Sequence, residues 1–140
     1  LRYDVARQLA ADFPNLSFTL NGGIKTLEEC QQHLQHFKGV MLGREAYANP
    51  WLLREVDEQI YGQPGLAPAS RSAVMLHMRS YIEQHMAAGG KATHVTRHLL
   101  GLAQGFAGAR RFRQLLSADI HKTDTPLQVV DQAIEVLQGR

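Results

Sequence analysis

Two short apolar runs with a helical pattern between them constrain this sequence more than any other feature. The runs are residues 16–20 and 40–42, and glycine follows each of them within two residues. Short apolar runs without alternation are typical of strands covered on both faces, and parallel strands need a crossover such as this helix. The stretch 16–44 therefore predicts a parallel strand, helix, strand unit.

The residues just past these strands predict a phosphate site: Asn21, Gly22 and Gly23 after the first strand, and Gly43 and Arg44 after the second. The carboxyl ends of parallel strands carry the ligand in α/β folds, and the last loops of a barrel commonly bind phosphate. Glycine lets backbone N–H groups approach an anion closely, and arginine offers a fork of donors. Each loop alone also fits an ordinary tight turn.

The helix after the first loop has a well-marked beginning. Thr26 followed three residues later by Glu29 is the pattern of a capping box. Because unpaired N–H groups and the helix dipole favour anions at this end, the helix adds to the predicted phosphate site.

The rest of the first 62 residues reads as the tail of a larger barrel or sheet. A helix is predicted over 3–13, a short turn over 45–48, and a helix over 50–61 that Asn49 caps and Gly62 ends. The apolar stripe of the first helix has intervals of four: Val5, Leu9 and Phe13. Since two parallel strands leave exposed edges, further strands are expected from a longer protein or from other chains.

The second half has a different character. Residues 63–69 are rich in Pro and Gly and free of charge, which predicts a linker. The remainder predicts a four-helix domain, with Thr125 and Gln128 as a second capping box. The predicted helices are 70–88, 93–104, 108–117 and one from 125 to 137.

Charge separates the two halves as well. Residues 1–68 hold six Lys and Arg against eight Asp and Glu, whereas residues 69–140 hold nine against five. A basic domain joined to a phosphate-binding scaffold indicates a polyanionic partner.

The basic residues of the second half are expected to form a nucleic-acid contact. On a continuous helix over 93–104, His94, Arg97 and His98 share one side with two glycines, and Arg110 and Arg113 follow one turn apart on the next helix. Fixed cations beside glycine suit a sugar-phosphate chain. The alternative is a solvated basic face.

The sequence gives little support for a catalytic cysteine, a metal site or a membrane segment. The single cysteine, Cys30, lies inside the first crossover helix and is expected in the core. The histidine pairs at 33/36 and 94/98 have metal spacing but no third ligand, so no metal is expected. The sequence has no apolar run of about 18 residues and no leader pattern, which predicts a cytoplasmic protein without a membrane partner.

Three strings resemble one known family, the tRNA-dihydrouridine synthases, and its A subfamily in particular. They are N-G-G-I-K at 21–25, G-R-E-A-Y-A-N-P at 43–50, and H-V-T-R-H-L-L-G-L-A-Q-G-F-A-G-A-R-R-F-R-Q-L-L-S at 94–117. The resemblance implies a flavoprotein oxidoreductase with an FMN-binding TIM (β/α)8 barrel followed by a helical tRNA-binding domain. Such enzymes use NADPH to reduce a D-loop uridine of tRNA, here at position 20/20a, to 5,6-dihydrouridine.

The same resemblance assigns roles to the candidate residues. It implies that Asn21, Gly22, Gly23, Gly43 and Arg44 hold the FMN phosphate. It also implies that Arg110 and Arg113 contact tRNA. Our extension of the tRNA site to His94, Arg97 and His98 rests on the charge pattern alone.

The family's catalytic cysteine is expected upstream of this chain, and Cys30 is not that residue. The resemblance therefore implies a carboxyl-terminal fragment, inactive alone, whose partner is the missing front of the barrel. Strands 7 and 8 of the barrel are assigned to residues 1–62, the linker to 63–69, and the tRNA-binding domain to 70–140.

Two alternatives fit the same residues. Helices over 93–104 and 108–117 with a turn between them would also suit a helix-turn-helix DNA-binding module. The glycine loops would also suit another FMN or sugar-phosphate barrel enzyme with an unrelated helical appendage.

Overall fold

The apolar residues gather in two separate cores in the computed structural model, which describes residues 1–139. The chain divides accordingly into two units. One comprises Leu1–Tyr47 with Leu52–Ala67, and the other comprises Ala48–Trp51 with the described residues from Pro68 onward. The architecture is helix-rich α/β, with one two-stranded sheet among the described residues.

The first unit is built on the predicted strand, helix, strand arrangement. Strand β1 (Thr19–Asn21) pairs in parallel with β2 (Gly39–Met41), and Leu20 lies opposite Val40. Helix α2 (Leu27–Leu34) connects them. The prediction of parallel strands is confirmed, although β1 begins three residues later than predicted, because the ladder extends only as far as its short partner.

Helix α1 (Tyr3–Asp12) precedes β1, as predicted. The face of α1 that packs against the core is not the face that carries its apolar stripe. Tyr3, Ala6 and Ala10 pack against the core of the first unit. The stripe itself is about half exposed, with Val5 at 52%, Leu9 at 47% and Phe13 at 51%. The face that meets the described sheet core therefore combines Tyr3 with two alanines.

The segment after β2 differs from its prediction. Residues predicted as a turn form the short helix α3 (Arg44–Ala48). The predicted helix 50–61 is a 3₁₀ segment, Pro50–Glu55, followed by α4 (Val56–Gln59). Trp51 packs into the core of the second unit, and Leu52 packs into the core of the first.

The second unit contains three long helices and several short pieces. The long ones are α5 (Arg71–Ala87), α7 (Ala109–Ser117) and α8 (Pro126–Leu137). Between them lie α6 (Thr93–Thr96) and two 3₁₀ segments, Leu100–Ala103 and Asp119–Lys122. Fully buried side chains from all three long helices form the core, among them Met75, Ile82, Phe112, Leu115 and Val130.

The predicted helix over 93–104 is wrong, because α6 ends at Thr96 and hydrogen bonds between residues three apart follow it: the N–H of His98 donates to the carbonyl of Val95, and that of Leu99 to the carbonyl of Thr96. Arg71 holds the far end of the segment. Its Nε donates to the carbonyl of Leu102 at 2.9 Å, and its Nη2 donates to that of Gln104 at 3.3 Å. The glycines at 101 and 105 also lower helix propensity. The predicted four-helix layout therefore has only a four-residue helix at its second position.

Of the two predicted capping boxes, one is confirmed and the other is wrong. At α2 the capping box is confirmed, and Ser70 caps α5 by accepting from the N–H of Ala73. The second predicted box is wrong, since the Thr125 hydroxyl donates to the side chain of Gln128 rather than accepting from a backbone N–H. None of the described helices has both the length and the apolar character needed to cross a bilayer.

Candidate functional site

The two glycine loops of the first unit line a single cavity of about 450 Å³. All five residues predicted to hold a phosphate are among its lining residues. The complete lining is Asn21, Gly22, Gly23, Ile24, Lys25, Met41, Gly43, Arg44 and Glu45. The loops therefore open on the same side of the sheet.

Parallel pairing accounts for this convergence. Asn21 ends β1 and its partner Met41 ends β2, so both chains leave the sheet at one edge. The first chain turns through Gly22 and Gly23 toward α2, and the second passes Gly43 into α3. Backbone N–H groups from two loops are thus brought to one place, as anion binding requires.

The two glycines of the first loop are required by the backbone. Gly22 has φ of 129° and Gly23 has φ of 68°, a region that other residues rarely adopt. The hydroxyl of Tyr3 donates to the carbonyl of Gly22 at 2.6 Å and so ties α1 to this loop. The contact of Tyr3 with the loop could not be predicted from the sequence, because Gly22 lies 19 positions away and no local pattern connects the two residues.

The capping box of α2 occupies several backbone N–H groups near the cavity, so these are not available to an anion. The Glu29 carboxylate accepts from the N–H of Lys25 at 2.7 Å and from that of Thr26 at 3.2 Å, and the Thr26 hydroxyl accepts from the N–H of Glu29 at 3.1 Å. These three donors are engaged within the helix start. The backbone N–H groups of the glycine loop are therefore the main donors that this side of the cavity offers an anion.

Charged side chains complete the cavity. Arg44 and Lys25 contribute two cations and are exposed, whereas Glu45 contributes one carboxylate. The sequence analysis did not assign Lys25, although its position directly after the glycine loop was a usable signal. The local balance favours an anionic ligand.

In the second unit, Arg110 and Arg113 lie on the exposed face of α7. Phe112, Leu115 and Leu116 occupy its buried face. Arg111 between them donates to Asp119 at 2.8 Å, so its charge is locally balanced. The amphipathic helix thus presents two arginines one turn apart to solvent.

The three other predicted RNA contacts do not share one helix face. His94 lies in α6, whereas Arg97 and His98 follow its end. The Nε of Arg97 donates to Nε2 of His98 at 3.1 Å. His94 and Arg97 line a second cavity of about 210 Å³, and His98, Arg110 and Arg113 are not among its lining residues.

The absence of a helix over 93–104 also removes the first helix of the helix-turn-helix alternative. A four-residue helix is too short to support a recognition helix across the DNA backbone. Within the described residues, no group of three His, Cys, Asp or Glu side chains is arranged to hold a metal ion.

Comparison with known proteins decides the family. The family model described as "Dihydrouridine synthase (Dus)" matches residues 1–138. The chain belongs to the dihydrouridine synthase family. This confirms the resemblance drawn from the three strings at 21–25, 43–50 and 94–117.

Individual members of this family align along the whole chain. A tRNA-dihydrouridine(20/20a) synthase of Pseudomonas putida is 66% identical over 100% of this chain, and that of Pseudomonas aeruginosa is 64% identical over 100%. The Escherichia coli synthase of the same name is 45% identical over 100%. The chain spans 41%, 42% and 40% of the length of these three relatives.

Proposed function

We propose that this chain is the carboxyl-terminal part of a flavin-dependent tRNA-dihydrouridine(20/20a) synthase. The proposal is supported by family membership and by the activity for which relatives up to 66% identical are named. The enzyme would use NADPH to reduce uridine 20/20a in the D-loop of tRNA to 5,6-dihydrouridine, in the cytoplasm. The catalytic acid would be supplied by the part of the protein that precedes this chain.

The domain assignment follows from the same proposal. Residues 1–62 would be the last two β/α units of a TIM barrel, 63–69 the linker, and 70–140 the tRNA-binding domain. The parallel pairing of β1 with β2 and the separate helical core support it. The half-exposed stripe on α1, with Leu9 at 47%, is where a preceding unit of the barrel would pack.

The single observation that carries the proposal is the convergence of both glycine loops on one cavity. The phosphate of FMN would lie there against the backbone of Asn21, Gly22, Gly23 and Gly43. Arg44 would pair with it through a fork of charge-assisted hydrogen bonds. FMN, when bound, supplies hydride transfer to the uracil ring, and this chain's residues bind and orient the phosphate end.

Arg110 and Arg113 would contact the phosphate backbone of tRNA from the exposed face of α7. His94, Arg97 and His98 would add to this contact from α6 and the turn after it. The excess of basic residues after position 69 supports a polyanionic partner for this half.

The cofactor assignment is tested on the purified full-length protein. Visible absorbance reports bound flavin, and mass spectrometry of digested tRNA reports dihydrouridine. We expect Arg44→Ala to weaken FMN binding about tenfold or more, since charge-assisted hydrogen bonds contribute about 1.5–3 kcal/mol. Arg7→Ala, an exposed arginine on α1 outside the cavity, serves as the matched control. If the unaltered full-length protein stays colourless after FMN is added, the proposed function is refuted.

The tRNA assignment needs a second pair of variants. Arg113→Ala should reduce tRNA affinity and flatten its salt dependence by about one unit of slope. Arg111→Ala is the control one residue away, where Asp119 already balances the charge at 2.8 Å. Equal affinity of Arg113→Ala and the unaltered enzyme would remove this contact and favour the barrel enzyme with an unrelated appendage.

A further inference from the structure

We propose that the cavity at α6 binds one phosphate group of the RNA backbone, at a site separate from Arg110 and Arg113. The inference rests on the proposed function, because it assumes that RNA meets the helical unit. The cavity measures about 210 Å³, which leaves room for a phosphate and its water. Its lining is Thr93, His94, Thr96, Arg97, Leu100, Leu116, Ser117 and His121.

Arg97 is the principal anion ligand of this site. Its Nε donates to Nε2 of His98 at 3.1 Å, which sets the plane of the guanidinium. The two terminal nitrogens, Nη1 and Nη2, then form the fork that suits two oxygens of one phosphate. His98 therefore also orients Arg97, in addition to the RNA contact proposed for it above.

His94 supplies a second donor because of the contacts on its other nitrogen. Nε2 of His85 lies 3.2 Å from Nδ1 of His94, and the N–H of Lys91 points at the same Nδ1 from 3.5 Å. A backbone N–H can only donate, so both contacts are satisfied together when Nδ1 accepts. The proton of the neutral ring is then on Nε2, where it is available to an anion.

The position of His85 depends on the turn that ends α5. The N–H of Gly89 donates to the carbonyl of Met86, and that of Gly90 donates to the carbonyl of His85, both at 2.9 Å. These bonds form a Schellman motif, and Gly89 has φ of 91°. A Cβ on Gly90 would lie 2.1 Å from Nε2 of His85, so the imidazole covers this glycine closely. Its contact with His94 therefore depends on glycine at position 90.

The charge balance of the cavity also favours an anion. None of its lining residues is acidic, and His121 contributes a third nitrogen-bearing side chain. The nearest acidic residue along the chain, Asp119, is paired with Arg111 at 2.8 Å. The Ser117 hydroxyl donates to the carbonyl of Arg113 at 2.6 Å, so it shapes the wall without supplying a donor.

The test measures tRNA affinity of the full-length protein by fluorescence anisotropy across a series of salt concentrations. Arg97→Ala should bind an unmodified tRNA transcript about tenfold more weakly, with a salt slope smaller by about one, because one phosphate contact is lost. Lys122→Ala is the matched control, since it removes the same charge beside His121 but lies outside the cavity. Its affinity should change less than about twofold.

Two further variants show whether a loss of tRNA affinity comes from the geometry of the site, from its charge or from a failure to fold. Arg97→Lys keeps the charge but lacks the fork, and its affinity should lie between those of Arg97→Ala and the unaltered protein. Gly90→Ala changes no charge, yet it displaces His85 and should weaken tRNA binding severalfold while flavin content stays unchanged. Either result supports the site even where Arg97→Ala fails to fold.

The failures of the two proposals are distinguishable. When the unaltered protein binds FMN and forms dihydrouridine but Arg97→Ala and Gly90→Ala match Lys122→Ala in affinity and slope, the phosphate site is refuted and the function stands. When the unaltered protein prefers a DNA duplex to tRNA at equal salt, both proposals are refuted.

Discussion

Replacing Gly23 by alanine tests how the glycine loop is held in shape. Gly23 has φ of 68°, and an added Cβ would lie 2.8 Å from Cδ1 of Leu1 and 2.9 Å from the hydroxyl oxygen of Tyr3. The leucine contact involves the far end of an exposed side chain, which moves at little cost. The tyrosine contact is more serious, because that hydroxyl donates to Gly22 at 2.6 Å.

The expected loss of stability follows from these two effects. A left-handed conformation costs a non-glycine residue about 1–2 kcal/mol. Loss of the hydrogen bond between Tyr3 and Gly22 adds about 0.5–1.5 kcal/mol. Gly23→Ala should therefore destabilise the native protein by about 1.5–3.5 kcal/mol.

Gly43→Ala is the control within the same cavity. Gly43 lies on the second loop, its φ is not positive, and no atom lies within 4 Å of an added Cβ. A substitution without strain or overlap should change stability by less than about 0.5 kcal/mol. The two variants therefore make the same chemical change in two different backbone environments.

Thermal unfolding of the full-length protein, with and without added FMN, measures the difference. Gly23→Ala should lower the melting temperature by about 2–5 °C relative to Gly43→Ala. It should also retain less flavin, since its loop can no longer present the backbone of Gly22. Equal melting temperatures for the two variants would refute the assignment of strain to Gly23.

Three further substitutions or treatments have equally defined outcomes. Thr26→Ala should cost about 1 kcal/mol in urea denaturation, because it removes the cap that accepts from Glu29; an unchanged midpoint would contradict that role. Phe112→Ala should cost about 3–5 kcal/mol and lower tRNA affinity together with stability, since its ring is 0% exposed; a free energy of unfolding lowered by less than about 1 kcal/mol would contradict its role in the core. Burial, followed by the charge of Glu29, raises the pKa of Cys30 above its ordinary value of 9.0. The associated stability is therefore full below that value and is lost as the pH rises through the higher folded pKa. Mass spectrometry should find the Cys30 peptide unalkylated at pH 8 in native protein and modified in urea, and rapid native labelling would contradict the burial.

Several features of the first unit were accessible from local sequence. Leu20 and Val40 lie in short apolar runs, and these pair in parallel as predicted. The Thr26 box depends on residues three positions apart, so the chain itself contains all the necessary information. The convergence of Gly23 and Gly43 on one cavity follows from parallel pairing, which places both loops at one edge.

Other features depended on contacts that sequence spacing does not encode. The apolar periodicity over 93–104 indicated a helix, but the helix ends at Thr96, and Arg71, 31 positions before Leu102, donates to the carbonyl of that residue in the 3₁₀ segment that follows. The stripe on α1 indicated a packed face, yet Ala6 and Ala10 meet the described core instead. Local periodicity therefore indicated neither where α6 ends nor which face of α1 packs on the described core.

The sequence by itself determined the family, the parallel strand pair and the glycine loops, because these depend on residue types at short, fixed separations. The tertiary structure alone decided that Tyr3 donates to the first loop and that His85 contacts His94, which lines one cavity together with Arg97. Those contacts join segments that are distant along the chain or separated by a turn. Their geometry appears only when burial of the two cores has brought the segments together.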